Sequence, residues 1–271
     1  MKYSRITYRT FKGSAKAWNR FLAASGDSCF LQTWEFGEAK SKFGPWSAER
    51  GELLDGDTVI GAAQSMIRKP SFSKSGLAWI NRGPVCVAGD YGQALLALHQ
   101  HFCLERKMYL RIAPARSIGN FSVAEYNSSG LTKTEILGWA SATIDLTLAE
   151  DILRNNLHGK WRNALTRAEG SDIKIRISNS SRSFQQFLEG HTQHLDERGQ
   201  KGGLEIGFLT LLQDLLPNHE RFLCVGAYKG GNYLGGALVI QHGKLGEYLA
   251  GHNAIVGRSL NAGQLILWSI I

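Results

Sequence analysis

The chain has 271 residues, 43% of them hydrophobic and 20% charged, with a net charge of +8. That composition fits one large folded domain or two modest ones and excludes a disordered or low-complexity chain. No apolar run approaches the ~20 residues that span a bilayer, and the opening residues MKYSRITYRTFKGS lack the apolar core of a signal peptide. Cys29, Cys86, Cys103 and Cys224 stand singly, without metal-ligand or disulfide-framework spacing, which suits a reducing cytoplasm. The positive balance is either an ordinary basic surface or an attraction to phosphate groups, as in nucleic acid or a nucleotide-linked substrate.

In chain order, the pattern predicts short helices over 14–24 and 34–43. Residues 49–54 and 58–67 read as two strands around Asp55-Gly56-Asp57, a turn-forming tripeptide. A further strand over 77–80 is broken by Arg82-Gly83-Pro84. Leu95, Leu98, Phe102 and Arg106 are spaced along a helix over 91–107, which runs into a strand over 108–112. Residues 115–130 read as loop and 142–146 as extended chain.

A basic helix and strand follow over 147–177. Thr147 and Glu150 have the spacing of a capping box, in which hydroxyl and carboxylate satisfy free amides at a helix start. Leu153, Leu157, Trp161, Leu165 and Ala168 recur at helical spacing, so one face is apolar and packs inward. Gly170 stops the helix, and 173–177 alternate as a half-buried strand. From Arg154 to Arg182 there are seven Lys/Arg against two Asp/Glu, a concentration of charge that suits an anionic substrate or a nucleic-acid backbone.

The second half repeats the plan of the first. Residues 184–195 and 204–216 read as helices, 222–228, 233–241 and 245–250 as strands, and a helix starts near Arg258. Thr58-Val59-Ile60-Gly61-Ala62-Ala63 resembles Asn232-Tyr233-Leu234-Gly235-Gly236-Ala237; each follows a strand and a Gly-containing turn and opens a new strand. A glycine at such a place marks a bulge or a close backbone approach. The match predicts two related α/β units, 1–146 and 147–271. The chain ends within an apolar run, Leu265 to Ile271, with no stop signal, so the second unit is expected to lack a final piece.

Four segments resemble the Fem family of peptidoglycan interpeptide-bridge aminoacyltransferases, which are built from two acetyltransferase-like (GNAT-like) units. Leu31-Gln32-Thr33-Trp34 through Lys40 is similar to the family's early Q-S-x-x-W-x-x-x-K signature, and Arg82-Gly83-Pro84-Val85 to its R-G-P-V strand end. Residues 157–175 resemble its basic helix and strand; Tyr248-Leu249-Ala250-Gly251-His252-Asn253 and then 262–268 resemble its Y-x-x-G-A-S strand and A-x-x-L-L-W helix. The resemblance implies an α/β (α+β) fold of two tandem GNAT-like units, with mixed sheets flanked by helices. It implies transfer of an aminoacyl group from aminoacyl-tRNA to an amine on a nucleotide- or lipid-linked cell-wall precursor, by a cytoplasmic monomer that needs no cofactor. A neutral amine attacks an ester carbonyl, so the enzyme must align two substrates and stabilise the tetrahedral oxyanion. The absence of a G-x-S-x-G sequence agrees with that chemistry.

By the same resemblance Lys40 contacts precursor phosphates, or it is a solvated lysine at a helix end, and Arg82 faces the cleft or caps a sheet edge. Lys160, Arg162 and Arg167 track a phosphate backbone or form a solvated helix face. Tyr248 donates near the reacting carbonyl or merely packs. The family's later arginine followed by a Tyr-Phe pair has no clear counterpart; Arg198 or Lys201 stands nearest, without the tyrosine. One alternative is a coenzyme-A-dependent GNAT N-acyltransferase, for which Arg258-Ser259-Leu260-Asn261-Ala262-Gly263 is the nearest pyrophosphate loop, with Asn in place of the first glycine. A second is a non-catalytic module that binds RNA or an anionic polymer. A metal site from His191 and His194 with Asp196 and Glu197 is the weakest reading, because histidines on a polar helix face are usually surface residues.

Overall fold

The computed structural model describes residues 4–26, 29–72, 75–115, 123–135, 140–199, 205–217 and 222–271. The chain divides into two units, Met1–Trp139 with His242–Leu245, and Ala140–Gln241 with Gly246–Ile271. No helix among the described residues is long and apolar enough to cross a membrane.

The first unit is a mixed sheet of β1 (Ile6–Thr10), β2 (Ser47–Asp55), β3 (Thr58–Arg68), β4 (Leu77–Asn81) and β6 (Tyr109–Ala113), in the order β1-β2-β3-β4-β6, with the short β5 (Val85–Cys86) paired to β3. Its pairs are antiparallel except β4–β6. A parallel pair needs a long crossover, and α3 (Tyr91–His99) provides it, running on as a π-helical turn over Gln100–Glu105. Asp90 caps α3 by accepting from the Gln93 amide. The buried Ala94, Leu98 and Phe102 pack on Ile6, Leu53 and Ile80 of the sheet. The helices α1 (Ala15–Ser25) and α2 (Trp34–Phe43) lie between β1 and β2, with Ser14 capping α1. The described loop region before residue 130 also holds a short helix, α4 (Val123–Ser128), where sequence predicted none.

The second unit carries β7 (Lys174–Ser178), β8 (Leu223–Lys229), β9 (Asn232–His242) and β10 (Leu245–Asn253), in the order β10-β9-β8-β7. Strands β7, β8 and β9 pair antiparallel. Helices α7 (Ser181–Arg198) and α8 (Ile206–Leu215) connect β7 to β8. After β10 come α9 (Ile255–Ser259) and α10 (Ala262–Trp268), broken at Asn261, which has φ 57°. The expected helix near Arg258 is therefore two short ones. Ala262 and Ile266 of α10 pack on Val225, Ala227, Leu234 and Ala237. Both units thus run strand, two helices, three main strands, helix.

The repeated glycine segment has one structural meaning. In the first unit Leu53 pairs with Gly61 and Leu54 with Val59, so Ile60 is an extra, bulged residue. In the second unit Ala227 pairs with Gly235 and Tyr228 with Tyr233, so Leu234 is the bulge. Each bulge lies immediately before the matched glycine.

The basic helix differs from its sequence reading. It is two helices, α5 (Glu150–Asn155) and α6 (Gly159–Glu169). Thr147 does not cap: its amide and hydroxyl both donate to Asp145 Oδ1, at 3.0 and 2.7 Å, and α5 starts from Ala149 without a side-chain bond. Asn155, Asn156 and Gly159 are poor helix formers, and Arg162 donates to the Asn155 carbonyl at 2.9 Å, closing the end of α5. The apolar stripe remains: Leu157 and Trp161 pack around Leu165, Ala168 and Leu265. Residues 142–146, expected as extended chain, pair with no strand among the described residues and are all exposed, Ile144 and Leu146 included.

Candidate active site

A cleft of ≈ 180 Å³ opens in the second unit where β9 and β10 meet α7, α9 and α10. Its polar lining is Tyr248, His252 and Asn253 from β10, Arg258 from α9 and His194 from α7; Gly263 and Ile266 of α10 close another side. Tyr248 is half-exposed, and burial of part of its ring pushes the phenol's pKa up. It therefore stays protonated at neutral pH and can donate. A side chain at Gly251 would meet the Tyr248 hydroxyl, so this glycine lets the ring lie back along the strand. Arg258 is solvent-exposed and sits 3.9 Å from Glu197, a loose pair that a phosphate could replace.

His252 is 5% exposed and packs between the rings of Phe187, His191 and Tyr233, with centroids at 5.2, 6.1 and 5.5 Å. Neither of its ring nitrogens has a hydrogen-bond partner. Burial, with further repulsion from His191 and His194, pushes its pKa down to about 4, so the imidazole is neutral at pH 7. His191 is lowered for the same reasons, burial first and His194 second. Asn253 Oδ1 also lacks a partner. Among the described residues no group of three or more His, Cys, Asp or Glu is placed to hold a metal ion, so the suggested His191/His194 set does not assemble.

A larger cavity, ≈ 440 Å³, lies in the first unit beside Trp46, Glu49, Lys69 and Arg106. Its central charges are already matched. Arg106 Nη1 donates to both Glu49 oxygens at 2.6 and 2.7 Å, and Tyr8 donates to the same carboxylate at 3.3 Å. Burial would raise the Glu49 pKa, yet hydrogen bonds from His101 and Arg106 hold it at about 2. These bonds tie β1, β2 and the turn after α3 together.

Of the residues singled out in sequence, Tyr248 and Arg258 are brought together in the cleft. Lys40 lies in the last turn of α2, and Arg82 follows β4 at φ 58° with its amide donating to the Ala113 carbonyl. Both belong to the first unit. Lys160 and Arg167 are exposed on α6, and Arg162 is engaged with Asn155. Arg154 is taken by Glu169 in a two-point ion pair and lies over the Trp268 ring, which removes one cation from the basic segment. Lys201 lies outside the described residues. Sequence reasoning passed over His252 and Asn253. The signal available was their replacement of Ala and Ser in the strand motif, together with a glycine, Gly190, inside an otherwise good helix.

The early signature also acquires a physical role. Gln32 donates to the carbonyls of Gln64 and Asn81, at 3.2 and 2.7 Å, and accepts from the Gln64 amide at 2.8 Å. Arg50 is buried, bonds Gln64, Glu38 and the Trp34 carbonyl, and stacks 3.6 Å from the Trp34 ring centroid. A side chain at Gly37 would collide with Gln64 and Arg50. These residues tie α2 to the sheet.

No family model and no curated protein matches the chain. Among solved structures, FemX is similar with a TM-score of 0.78 and 16% identity, over 97% of this chain and 84% of that one. The C-terminal domain of a putative lysylphosphatidylglycerol synthetase from Agrobacterium fabrum aligns at TM-score 0.48 and 12% identity, covering 95% and 73%. A tandem GNAT protein from the clavulanic acid biosynthesis pathway aligns at 0.44 and 9%, covering 97% and 84%. The chain has the fold of FemX.

Proposed function

We propose that this protein is a Fem-like acyltransferase that moves an aminoacyl group onto the amine of a cell-wall precursor, with aminoacyl-tRNA as donor. The observation that carries the reading is the FemX fold across nearly the whole chain. The four motif segments and a cleft lined by Tyr248 and Arg258 support it. In the reaction the amine nitrogen bonds to the ester carbonyl carbon. The carbon–oxygen ester bond then breaks, and the ribose oxygen leaves with the proton that the amine loses. Tyr248, protonated at neutral pH, donates to the carbonyl oxygen as negative charge develops there. Arg258 draws a phosphate to the cleft mouth, and the exposed Lys160 and Arg167 follow the RNA backbone. Lys40 and Arg82 bind the precursor phosphates, with Lys201 as a further contact. No step needs a cofactor. We place the enzyme in the cytoplasm as a monomer.

Donor binding tests this reading. The protein is titrated with a non-hydrolysable aminoacyl-tRNA acceptor-stem mimic and, separately, with acetyl-coenzyme A, each at two salt concentrations. Binding of the RNA mimic that weakens with salt, with no coenzyme A signal, is expected. Saturable coenzyme A binding without RNA binding would move the protein to the coenzyme-A-dependent N-acyltransferases. RNA binding with no transfer to any amine would leave a non-catalytic binding module.

A further inference from the structure

We propose that His252 and Asn253 form the subsite that receives the acceptor's amino group as a neutral primary amine. The inference rests on the acyl-transfer reading and names the chemistry of its acceptor pocket. A neutral imidazole offers one N–H and one lone pair, and a carboxamide oxygen offers two lone pairs. His252 contributes two nitrogens and Asn253 one oxygen that bond to nothing in the protein. Both residues line the cleft. Buried polar atoms in native proteins are nearly always paired, and each exception calls for a physical explanation such as a catalytic role or a bound water or ion.

The position of His252 is built rather than accidental. Gly190 lies inside the 18-residue α7, where glycine is about 1 kcal/mol worse than alanine. A Cβ at Gly190 would lie 2.2 Å from His252 Nε2. The helix therefore gives up intrinsic stability to leave room for this imidazole. Asn253 is held similarly: side chains at Gly235 and Gly263 would lie 2.8 Å from its Oδ1 and 2.6 Å from its Nδ2.

The electrostatics favour the uncharged amine. On α7 the groups facing His252 are His191 and His194; on β9 the neighbour is Tyr233; on β10 it is Tyr248; α9 brings Arg258. Helix α10 adds only Gly263, Ile266 and Leu267. No carboxylate lines the cleft among its described residues. An ammonium there would meet the Arg258 guanidinium, and the nearby carboxylate, Glu197 on α7, lies 3.9 Å from that guanidinium and is not part of the cleft lining. A neutral amine can donate to Asn253 Oδ1 and to the free imidazole lone pair, while its own lone pair stays available to attack.

The test uses Nα-acetyl-lysine amide as the primary-amine probe and its Nε-trimethyl form as the control, which cannot lose its charge or donate. The 271-residue chain is titrated while the ring resonance of His252 is followed by NMR, assigned with His252→Ala. The resonance should move with the primary amine, with affinity rising as pH increases from 7 to 9, and should not move with the trimethyl form. His252→Ala and Asn253→Ala should each weaken probe binding at least about tenfold, the loss expected when a hydrogen bond worth about 1.4 kcal/mol disappears. His252→Gln, which keeps a donor and an acceptor, should recover part of it. If His252→Ala does not fold, the glutamine and Asn253→Ala variants decide. Equal binding of the trimethyl form, or unchanged affinity in the folded variants, would overturn the inference. Binding of the RNA mimic is measured on the same proteins. RNA binding retained with amine binding unaffected by the substitutions rejects the subsite alone, whereas no RNA binding by the wild type rejects the donor assignment.

Discussion

In the first unit the carbonyl of the bulged Ile60 accepts from the Val87 and Ala88 amides, and β5 closes against Gly61, bringing Cys86 beside it. In the second unit the corresponding Leu234 carbonyl accepts from the Ala254 amide, and the glycine after it faces His252 and Asn253, next to an open cleft. The same bulge in the same order of elements is sealed in one unit and open in the other. Gln32, Gln64, Arg50 and Glu49 of the first unit are bonded on several sides, although Ser65 Oγ and Trp79 Nε1 there are also buried without a partner; in the second unit both ring nitrogens of His252 are unmatched and lie beside the cleft.

The contrast is broken most directly by deleting one cation from each unit. Arg50→Ala should lower unfolding free energy by about 3 kcal/mol, because it strands buried partners. Arg258→Ala should change it by less than about 0.5 kcal/mol, because the Arg258–Glu197 pair is exposed. Denaturant melts of both variants check this; similar losses would show that the cleft cation is structural.

Acid should separate the units. His252 has a folded pKa of about 4 against an ordinary value of 6.5. Its lowered pKa means that the unfolded chain binds the proton more readily. Its contribution, up to about 3 kcal/mol, is therefore present above pH 6.5 and lost as pH falls towards 4. Glu49, at about 2 against 4.5, keeps its contribution above pH 4.5 and loses it only as pH falls towards 2. Hydrogen exchange across an acid titration should show second-unit peptides losing protection between pH 6.5 and 4, before those of the first. Simultaneous loss would mean that His252 is not held neutral by the fold.

A smaller effect sharpens the role of Gly190. Gly190→Ala should destabilise the wild type by about 1 kcal/mol, against its helix propensity, because of the clash with His252. In a His252→Ala background the same change should stabilise by about 1 kcal/mol. A double-mutant cycle should give a coupling of about 2 kcal/mol, and a value near zero would separate the two residues. At the bottom of the scale, Glu169→Gln should cost less than about 1 kcal/mol, since its pair with Arg154 is partly solvated.

Much of the fold was legible in the sequence. The hairpin over 47–68, the strand Leu77–Asn81, the helix Trp34–Phe43 and the bulge glycines follow from alternation, turn residues and repeat spacing. These are local properties, set by backbone sterics and by which side chains are apolar. The capping box failed because Asp145, two residues upstream, competes for the Thr147 hydroxyl. The long basic helix failed because apolar periodicity survives a turn: Leu157 and Trp161 keep the stripe while the backbone between them leaves the helix.

The sequence by itself determined the order of elements, the repeat, the basic surface and the motif positions, because neighbouring residues carry that information. Only the tertiary structure decided that Tyr248, His252, Asn253 and Arg258 share one cleft. It also decided that Gln32, Arg50 and Gln64, separated by up to 32 positions, saturate one another. Whether a buried polar atom is satisfied depends on partners that the chain brings together from distant segments, and no local pattern records it.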